Sequence, residues 1–293
     1  MFVVDKEGKI TVSLGGVCAL GCKHCYITSK DFRHQPRLQV DYVVDEVARF
    51  EGLKCICVSG DTDPLLEPEA NVLLMEKLAS LYKTVPIMFT TRLVPSLPTY
   101  SLIASLAAEC LRRHQLFIPC VSLVTFSYPN TIERQDRVPA SSERIGLIHQ
   151  FVSDSIPCIV ALRPTFPFSI VPPEEVNQLV GAFPAGTTAV LGEVFLIDGS
   201  RQLPSRMNWI GFEEHILTSA RMTFLDQPSS WDKCYLEQEV EFVRSACHQR
   251  CLPYFLRSMS ALDYLHSHWD YEHGCIQHSK HIYELQDRIS ICP

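Results

Sequence analysis

Short strand-like segments rich in β-branched residues alternate with helix-like segments over the first three quarters of the chain. Six strand-like segments occur, each followed by a helix-like one. The strand-like segments are 10–14, 55–59, 86–91, 117–125, 158–163 and 187–197. The helix-like segments are 40–50, 68–82, 100–114, 142–153, 173–183 and 212–224. This alternation is typical of βαβ units around a parallel sheet. Six units are three quarters of an eight-stranded barrel. We therefore predict an α/β fold, a partial (β/α)6 TIM-like barrel, with a doubly wound open sheet as the alternative.

The composition changes after about residue 225. Residues 226–293 contain five of the thirteen cysteines and more than half of the histidines, without a further strand-like segment of the earlier kind. We therefore predict two parts, a barrel over residues 1–225 and a cysteine-rich, mostly helical extension over residues 226–293.

Charge and hydropathy exclude several classes of protein. The formal net charge of −7 makes nucleic acid an unlikely partner, because a protein that neutralises many phosphates needs surplus Lys and Arg. No apolar stretch reaches the ~18 residues that span a membrane, and the N-terminus lacks the features of a signal peptide. We therefore expect a cytoplasmic protein without a membrane partner. Thirteen cysteines, an odd number, then indicate metal binding or catalysis rather than disulfides.

Three of the cysteines lie close together. Cys18, Cys22 and Cys25 have the spacing C-x3-C-x2-C and directly follow the first predicted strand. Closely spaced thiolates are the usual ligands of iron–sulfur clusters. Three ligands for four irons leave one iron open to a substrate or cofactor, as in catalytic metal sites. The alternative is a zinc site completed by His24 or a distant cysteine, in which case the chain would be a zinc-binding interaction module.

This motif, with the aromatic Tyr26 after the last cysteine, resembles the signature of the radical SAM superfamily. The resemblance implies a [4Fe-4S] cluster held by Cys18, Cys22 and Cys25, with S-adenosylmethionine (SAM) chelated to the open iron by its amino and carboxylate groups. It also implies reductive cleavage of SAM to a 5′-deoxyadenosyl radical, which abstracts hydrogen from a substrate. The electron would come from a donor such as flavodoxin or ferredoxin.

Further positions fit SAM binding in this family. Ser59, Gly60 and Asp61 follow the second strand, where family members carry a Gly-Gly-Glu-like stretch for the SAM amino group. At the ends of later strands, Arg92 or Arg163 could pair with the methionine carboxylate. Ser122 would face the ribose or carboxylate, and Gly192 could contact adenine through its backbone.

Two other stretches are similar to the photolyase-like subgroup, which includes spore photoproduct lyase. One is Thr62-Asp63-Pro64, and the other is the Pro-x-x-Pro stretch 164–167. In the subgroup an acidic, proline-containing segment and a helix precede the strand that ends in Pro-x-x-Pro, and residues 136–144 match that segment imperfectly.

The cysteines of the last quarter have three possible roles. They could ligate an auxiliary iron–sulfur cluster, donate a hydrogen atom to a substrate radical, or pack as small apolar side chains. Cys247 and Cys251 share one face of a predicted helix at i,i+4 spacing, so the pair could hold part of a cluster, and they are the candidate catalytic cysteines. The cysteines considered are Cys234, Cys247, Cys251, Cys275 and Cys292. The nearby histidines, expected to be mainly polar surface residues, are His248, His266, His268, His273, His278 and His281.

We expect a small-molecule substrate, such as a sugar, an aminoglycoside or a nucleoside of secondary metabolism. Quenching of the substrate radical by a cysteine would make the enzyme an epimerase. The first strand begins about ten residues into the sequence, which leaves no room for a leader-peptide-binding domain and makes a peptide substrate less favoured. The alternatives within the same chemistry are DNA-lesion repair of the photolyase-like kind and peptide modification.

Overall fold

The computed structural model describes most of the chain. The described residues are 2–4, 7–25, 36–59, 62–127, 132–133, 136–192, 195–198, 217–224, 227–234 and 236–277. In the strands at 2–4, 195–198, 217–224 and 227–234, only the backbone is described.

Strands and helices alternate as predicted. The strands of the main sheet are β1 Phe2–Val4, β2 Lys9–Val12, β3 Cys55–Val58, β4 Ile87–Thr91, β5 Phe117–Leu123, β6 Ile159–Leu162 and β7 Ala189–Gly192, and β11 Tyr254–Phe255 follows later in the chain. The helices are α1 Val40–Val47, α2 Pro68–Leu81, α3 Leu97–Arg112, α4 Ser141–Ser153, α5 Pro173–Gly181, α6 Glu237–Gln249 and α7 Ser258–His268. None of these helices is long and apolar enough to cross a membrane.

The strand order confirms the partial barrel. The main sheet runs β1-β2-β3-β4-β5-β6-β7-β11, with β2 to β7 and β11 parallel and β1 antiparallel at the edge. Because parallel crossovers are right-handed, a sheet whose order follows the sequence places its connecting helices on one face. A doubly wound sheet requires a reversal of strand order instead, and the six strands β2 to β7 have none.

The sheet separates two apolar layers, as the alternation of its side chains requires. The outer layer packs the helices against one face through residues such as Ile56, Phe89 and Val160, all fully buried. The inner layer includes Cys57, Met88 and other small or linear side chains. Several cysteines of this chain thus act as small apolar groups inside the sheet. The cysteines of the inner layer are Cys55, Cys57 and Cys120.

Helix α7 fills the amino end of the barrel. Its apolar face packs on the inner layer through Met259, Leu262, Leu265 and neighbouring residues. At one side, Lys9 Nζ at the start of β2 donates a hydrogen bond to Ser258 Oγ over 2.9 Å. The interior is therefore occupied at this end, which leaves the carboxyl ends of the strands for a functional site.

The far end of the same C-terminal segment lies beside the loops that enter β5 and β6. The Tyr271 ring lies 4.9 Å from that of His114, which precedes β5. Two short strands, β12 Trp269–Asp270 and β13 Cys275–Ile276, form an antiparallel pair here. Residues 257–277 thus extend across the amino end of the barrel.

Two predictions for the region after β7 are wrong. A helix was expected over 212–224, but its described part is a strand, β9 Leu217–Phe224, paired with β10 Gln227–Cys234, which also pairs with β8 Phe195–Asp198. The period-two spacing of Ala220, Met222 and Phe224 accounts for the strand. No further strand of the main sheet was expected after residue 225, yet β11 pairs in parallel with β7.

Candidate functional site

The loop after β2 carries the three clustered cysteines at the carboxyl end of the sheet. Ser13 Oγ accepts a hydrogen bond from Gly15 N over 2.9 Å, which turns the chain out of the strand. Gly15 has a φ of +77°, and a Cβ at this position would lie 2.4 Å from the carbonyl oxygen of Pro36. Only glycine satisfies both conditions, so the start of this loop is fixed by its sequence.

The three cysteines belong to one small apolar cluster. Cys22 is buried together with Leu20 and Val138, and the half-buried Cys18 and Cys25 pack against them. Cys25 N donates to the carbonyl oxygen of Cys22 over 3.1 Å, closing a turn between these two cysteines. Burial raises the pKa of the Cys22 thiol to about 12, so the neutral thiol is favoured unless a metal or another positive charge stabilises the thiolate.

The donor set fits an iron–sulfur cluster. Thiolates are the usual protein ligands of such a cluster, and three of them on one loop in an apolar setting would leave one of four irons open. Among the described residues, no three His, Cys, Asp or Glu side chains are grouped tightly enough to hold a single metal ion. A cluster does not need that grouping, because each thiolate binds a different iron.

A segment between β5 and α4 supports the cysteine loop from one side. The carbonyl oxygen of Ile132 accepts from Lys23 N over 3.0 Å. Arg137 Nη1 donates to the carbonyl oxygen of Ala19 over 2.7 Å. Since Val138 also packs on Cys22, this segment contacts the loop at three points.

Arg92, directly after β4, brings a positive charge to the same loop. Its Nη2 lies 2.9 Å from His24 Nε2, between Cys22 and Cys25 in the sequence. Its Nε donates to Glu133 Oε1 over 3.3 Å. The positive charge of Arg92 lowers the pKa of Cys22 and so opposes the effect of burial.

Glu133 connects Arg92 to a second arginine. The Glu133 carboxylate and the Arg144 guanidinium are both fully buried, and they form a bidentate pair in which Nη1 lies 3.1 Å from Oε1 and Nη2 contacts Oε2. Arg144 Nη1 also donates to the carbonyl oxygen of Ser122 over 2.7 Å. One carboxylate thus contacts two guanidinium groups.

Asp63 fixes the backbone of Arg92. Its Oδ2 accepts from Arg92 N over 2.6 Å, and its Oδ1 accepts from Thr91 Oγ1 over 2.8 Å and from Leu65 N over 3.0 Å. The carboxylate therefore ties the end of β3 to the end of β4. It contacts the backbone of Arg92 and leaves the guanidinium to His24 and Glu133.

Polar side chains occupy the inner face of the sheet above the apolar layer. Ser59 follows β3, and its N donates to the carbonyl oxygen of Val12 over 2.9 Å. Arg163, after β6, donates from Nη2 to Thr90 Oγ1 over 3.1 Å. Ser122 on β5 is 1% exposed, and its Oγ has no hydrogen-bond partner among the described residues. A polar ligand at this end of the barrel would therefore meet a hydroxyl that still needs a partner.

Glu175 at the start of α5 holds the loop after β5. Its Oε2 accepts from Thr125 Oγ1 over 2.9 Å, Phe126 N over 2.9 Å and Ser127 N over 2.8 Å. Burial alone would raise the pKa of Glu175, but these hydrogen bonds lower it below the ordinary value. The carboxylate therefore stabilises the rim of the site only while it is ionised.

We expect this contribution to be lost in acid. Because the pKa of Glu175 is lower in the folded than in the unfolded chain, its stabilisation is complete above the unfolded value of about 4.3 and falls as the pH drops through the folded value. Glu175→Gln should lower the free energy of unfolding at pH 7 and flatten its dependence on pH below about 4.3. Urea unfolding at a series of pH values measures both. An unchanged acid dependence in the variant would contradict this role.

The predicted site residues differ in where they lie. Cys18, Cys22, Cys25, Arg92 and the inner-face group of Ser59, Ser122 and Arg163 all lie at the carboxyl end of the sheet. Tyr26, Gly60 and Asp61 lie outside the described residues. Gly192 ends β7, and a Cβ there would lie 2.0 Å from the Tyr254 hydroxyl oxygen. The close approach of that ring thus explains this glycine without a ligand.

The structure does not bring Cys247 and Cys251 to the cysteine loop. Cys247 is buried in the outer layer near the end of α6, and Cys251 is exposed two residues before Pro253. The carbonyl oxygen of Pro253 accepts from Val190 N, near the start of β7. Both cysteines therefore lie towards the amino end, opposite the site.

The remaining cysteines and histidines of the last quarter show no shared site in the described residues. Cys275 is exposed on β13, the side chain of Cys234 is not described, and Cys292 lies outside the described residues. Two of the histidines, His278 and His281, are also outside. His248, His266 and His273 are exposed, as expected of polar surface residues.

Sequence reasoning missed the pair formed by Glu133 and Arg144. Glu133 belongs to no motif of the sequence, and Arg144 only ends the segment 136–144. Nothing in their spacing indicates that they meet, because the pair depends on how the loop after β5 folds back onto α4.

Comparison with known proteins gives matches at the level of structure. No protein-family model matches the chain, and no curated protein matches its sequence. Spore photoproduct lyase complexed with dinucleoside spore photoproduct has a similar fold, with a TM-score of 0.62 and 10% identity over 87% of this chain and 78% of that one.

SuiB from Streptococcus suis is also similar in fold. Its structure bound to S-adenosylmethionine gives a TM-score of 0.53 and 13% identity, covering 86% of this chain and 50% of SuiB. Its structure bound to precursor peptide SuiA gives 0.55 and 13%, covering 88% and 51%. The chain thus spans about half the length of SuiB. These neighbours confirm the predicted fold and its likeness to that of spore photoproduct lyase.

Proposed function

We propose that this chain is a radical SAM enzyme in which Cys18, Cys22 and Cys25 hold a [4Fe-4S] cluster. The observation that carries the proposal is the three-cysteine loop at the carboxyl end of β2 in a partial barrel, the end at which barrel enzymes carry their reactive groups. The likeness in fold to spore photoproduct lyase and to SuiB solved with S-adenosylmethionine supports it. When bound, the cluster and SAM would supply a 5′-deoxyadenosyl radical after one-electron reduction.

The residues of the chain would bind and orient SAM. Arg163 is the candidate for the methionine carboxylate, because its guanidinium lies at the carboxyl end of the sheet, where it donates to Thr90 Oγ1. Ser122 Oγ, buried and without a partner among the described residues, could donate to the ribose or the carboxylate. Ser59, with Gly60 and Asp61, would accept from the SAM amino group.

This assignment predicts a change in SAM affinity. Arg163→Gln removes a charge-assisted pair with the carboxylate, worth about 1.5–3 kcal/mol, so the dissociation constant of SAM should rise roughly tenfold or more. The matched control is Arg113→Gln, since Arg113 lies after α3 at the amino end and pairs with Glu109. Isothermal titration of SAM into anaerobic, cluster-loaded protein measures the affinity. Equal dissociation constants for Arg163→Gln and wild type would show that Arg163 does not bind SAM.

For the substrate, we propose a small polar molecule such as a sugar, an aminoglycoside or a nucleoside. The support is the filled amino end of the barrel, where α7 packs on the inner layer, together with the polar inner face near the cysteine loop. An epimerisation would need a hydrogen donor within reach of that space. Cys247 and Cys251 are far from the cysteine loop along the barrel, so this finer proposal has less support than the radical chemistry itself.

A dinucleoside or nucleic-acid lesion is the second candidate. The likeness in fold to spore photoproduct lyase, which was solved with a dinucleoside spore photoproduct, favours this candidate, and it extends over 78% of that protein. It weighs against the prediction from net charge that nucleic acid is an unlikely partner. Peptide modification has parallel but weaker support from SuiB, which was solved with a precursor peptide and is matched over only half of its length.

The experiment that tests the function is reductive cleavage of SAM. Cluster-loaded protein, a reductant and SAM, incubated without oxygen, should yield 5′-deoxyadenosine and methionine. Candidate sugars, nucleosides, dinucleoside photoproducts and peptides are then added in deuterated water. An increase in SAM cleavage with one class identifies the substrate, and deuterium at an inverted carbon supports a thiol donor. Loaded protein that binds SAM but never cleaves it would contradict the proposed chemistry.

A further inference from the structure

Arg92 has a position that SAM binding does not explain. Its guanidinium reaches the cysteine loop at His24, at 2.9 Å, and this histidine lies between two of the proposed ligands, Cys22 and Cys25. The Arg92 side chain is about one fifth exposed, so water screens its charge only partly. The same guanidinium donates to Glu133, whose carboxylate is fully buried.

The surroundings hold this guanidinium in one place. Glu133 contacts Nε, His24 contacts Nη2, and Asp63 binds the backbone nitrogen. Arg144 in turn holds Glu133 through a bidentate pair. A long side chain that is fixed at both ends, with its partner fixed as well, has lost the freedom to move away from the loop.

The charge of Arg92 is not cancelled by its partner. Glu133 is shared with Arg144, so two guanidinium groups face one carboxylate. Asp63 also interacts electrostatically with Arg92, but its oxygens accept hydrogen bonds from backbone nitrogens and from Thr91 rather than from the guanidinium. The charged group of this network that reaches the cysteine loop is therefore the Arg92 guanidinium, which is positive.

A fixed positive charge next to a redox centre favours the reduced state. Reduction adds one negative charge to the cluster, and a nearby cation attracts that charge strongly where the dielectric is low. The net charge around a cluster and the hydrogen bonds near its sulfurs are the main means by which a protein sets its reduction potential.

We propose that Arg92 is a positioning residue that holds a fixed positive charge beside the cluster and raises its reduction potential. This inference rests on the proposed function, since it requires that the three cysteines hold a cluster. Glu133 and Arg144 would then hold the Arg92 guanidinium in position. Because the reduction potential decides which electron donors can reduce the cluster, Arg92 would also affect the choice of donor.

The test is a redox titration of cluster-loaded protein, followed by electron paramagnetic resonance of the reduced cluster. Arg92→Met removes the charge and keeps an unbranched side chain of similar volume, and Arg92→Lys keeps the charge. Arg113→Met removes an arginine from the opposite end of the barrel and is the matched control. For Arg92→Met we expect the one-electron reduction equilibrium to become about tenfold less favourable, a midpoint about 59 mV more negative. Arg92→Lys should stay nearer to wild type, and Arg113→Met should match it.

Two results would overturn the proposal. One is the same midpoint in Arg92→Met as in wild type, and the other is the same negative shift in Arg113→Met. If Arg92→Met does not hold iron, the reduction midpoints of Arg92→Gln and Arg92→Lys are compared instead. Equal midpoints in these two variants would overturn the proposal in the same way. A wild-type protein that binds no iron and sulfide would refute the proposed function as well, whereas a loaded protein with an insensitive midpoint refutes the role of Arg92 alone.

Discussion

Cys18→Ala should abolish the iron–sulfur cluster and, with it, all reductive cleavage of SAM. Each cysteine of the loop would hold a different iron, so the loss of one thiolate leaves two ligands for a cluster that needs three. Cys18 is only half-buried, so the substitution creates little cavity and the fold should be retained. Iron and sulfide content after anaerobic reconstitution and the rate of 5′-deoxyadenosine formation measure the two losses.

Cys275→Ala is the matched control for this experiment. Cys275 is exposed on β13, in the segment that extends across the amino end of the barrel. Its removal should leave iron, sulfide and SAM cleavage at wild-type levels. The assignment of Cys18 fails if Cys18→Ala retains the cluster, or if both variants lose it to the same extent.

Glu133→Gln should destabilise the protein strongly even without the cluster. The substitution removes the charged partner of Arg144, whose side chain is fully buried, and it weakens the contact to Arg92. An uncompensated buried charge costs about 3–5 kcal/mol, a large part of the stability of an ordinary domain. Urea unfolding of the cluster-free protein, followed by circular dichroism, measures the change in the free energy of unfolding.

The matched control is another glutamate that pairs with an arginine. Glu109 binds Arg113 over 3.0 Å at the surface of α3, and half of its side chain is exposed. Glu109→Gln should therefore cost less than about 1 kcal/mol. Because they share one contact, Glu133→Gln and Arg144→Met should together cost less than the sum of the single changes. Similar small costs for Glu133→Gln and Glu109→Gln would show that the buried pair does not stabilise the fold.

The fold was predictable as far as it depends on local patterns. Continuous apolar runs such as those of β3 and β6 are required of strands that are covered on both faces, and proline marks the first position of α2 and of α5. The region after β7 was less predictable. Strand β11 has only two residues, too few for any periodicity, and it exists because its backbone pairs with β7.

The site was predictable only where the sequence itself carries the ligands. Cys18, Cys22 and Cys25 stand within eight residues, so their spacing alone indicates a shared site. The partners of Arg92 come from three separate segments of the chain, and no local pattern brings His24 and Glu133 to the same guanidinium. Tertiary contacts of this kind follow from the fold and are visible only once the strand ends are in place.

The fold assigns a packing role to several cysteines that the composition alone suggests are functional. Cys55, Cys57 and Cys120 line the inner layer of the sheet, where a small apolar side chain leaves room for α7. The number of cysteines alone predicts more metal-binding or catalytic residues than these buried positions provide. Composition identifies the residue type that is in excess, while burial decides which of its members can bind a ligand.

The central claim is that the loop after β2 holds a [4Fe-4S] cluster, and metal analysis of anaerobically purified protein tests it most directly. The account predicts brown protein that absorbs at about 400 nm and contains about four irons and four sulfides per chain, all lost in Cys18→Ala. Colourless protein that takes up stoichiometric zinc and no iron after anaerobic reconstitution would contradict it.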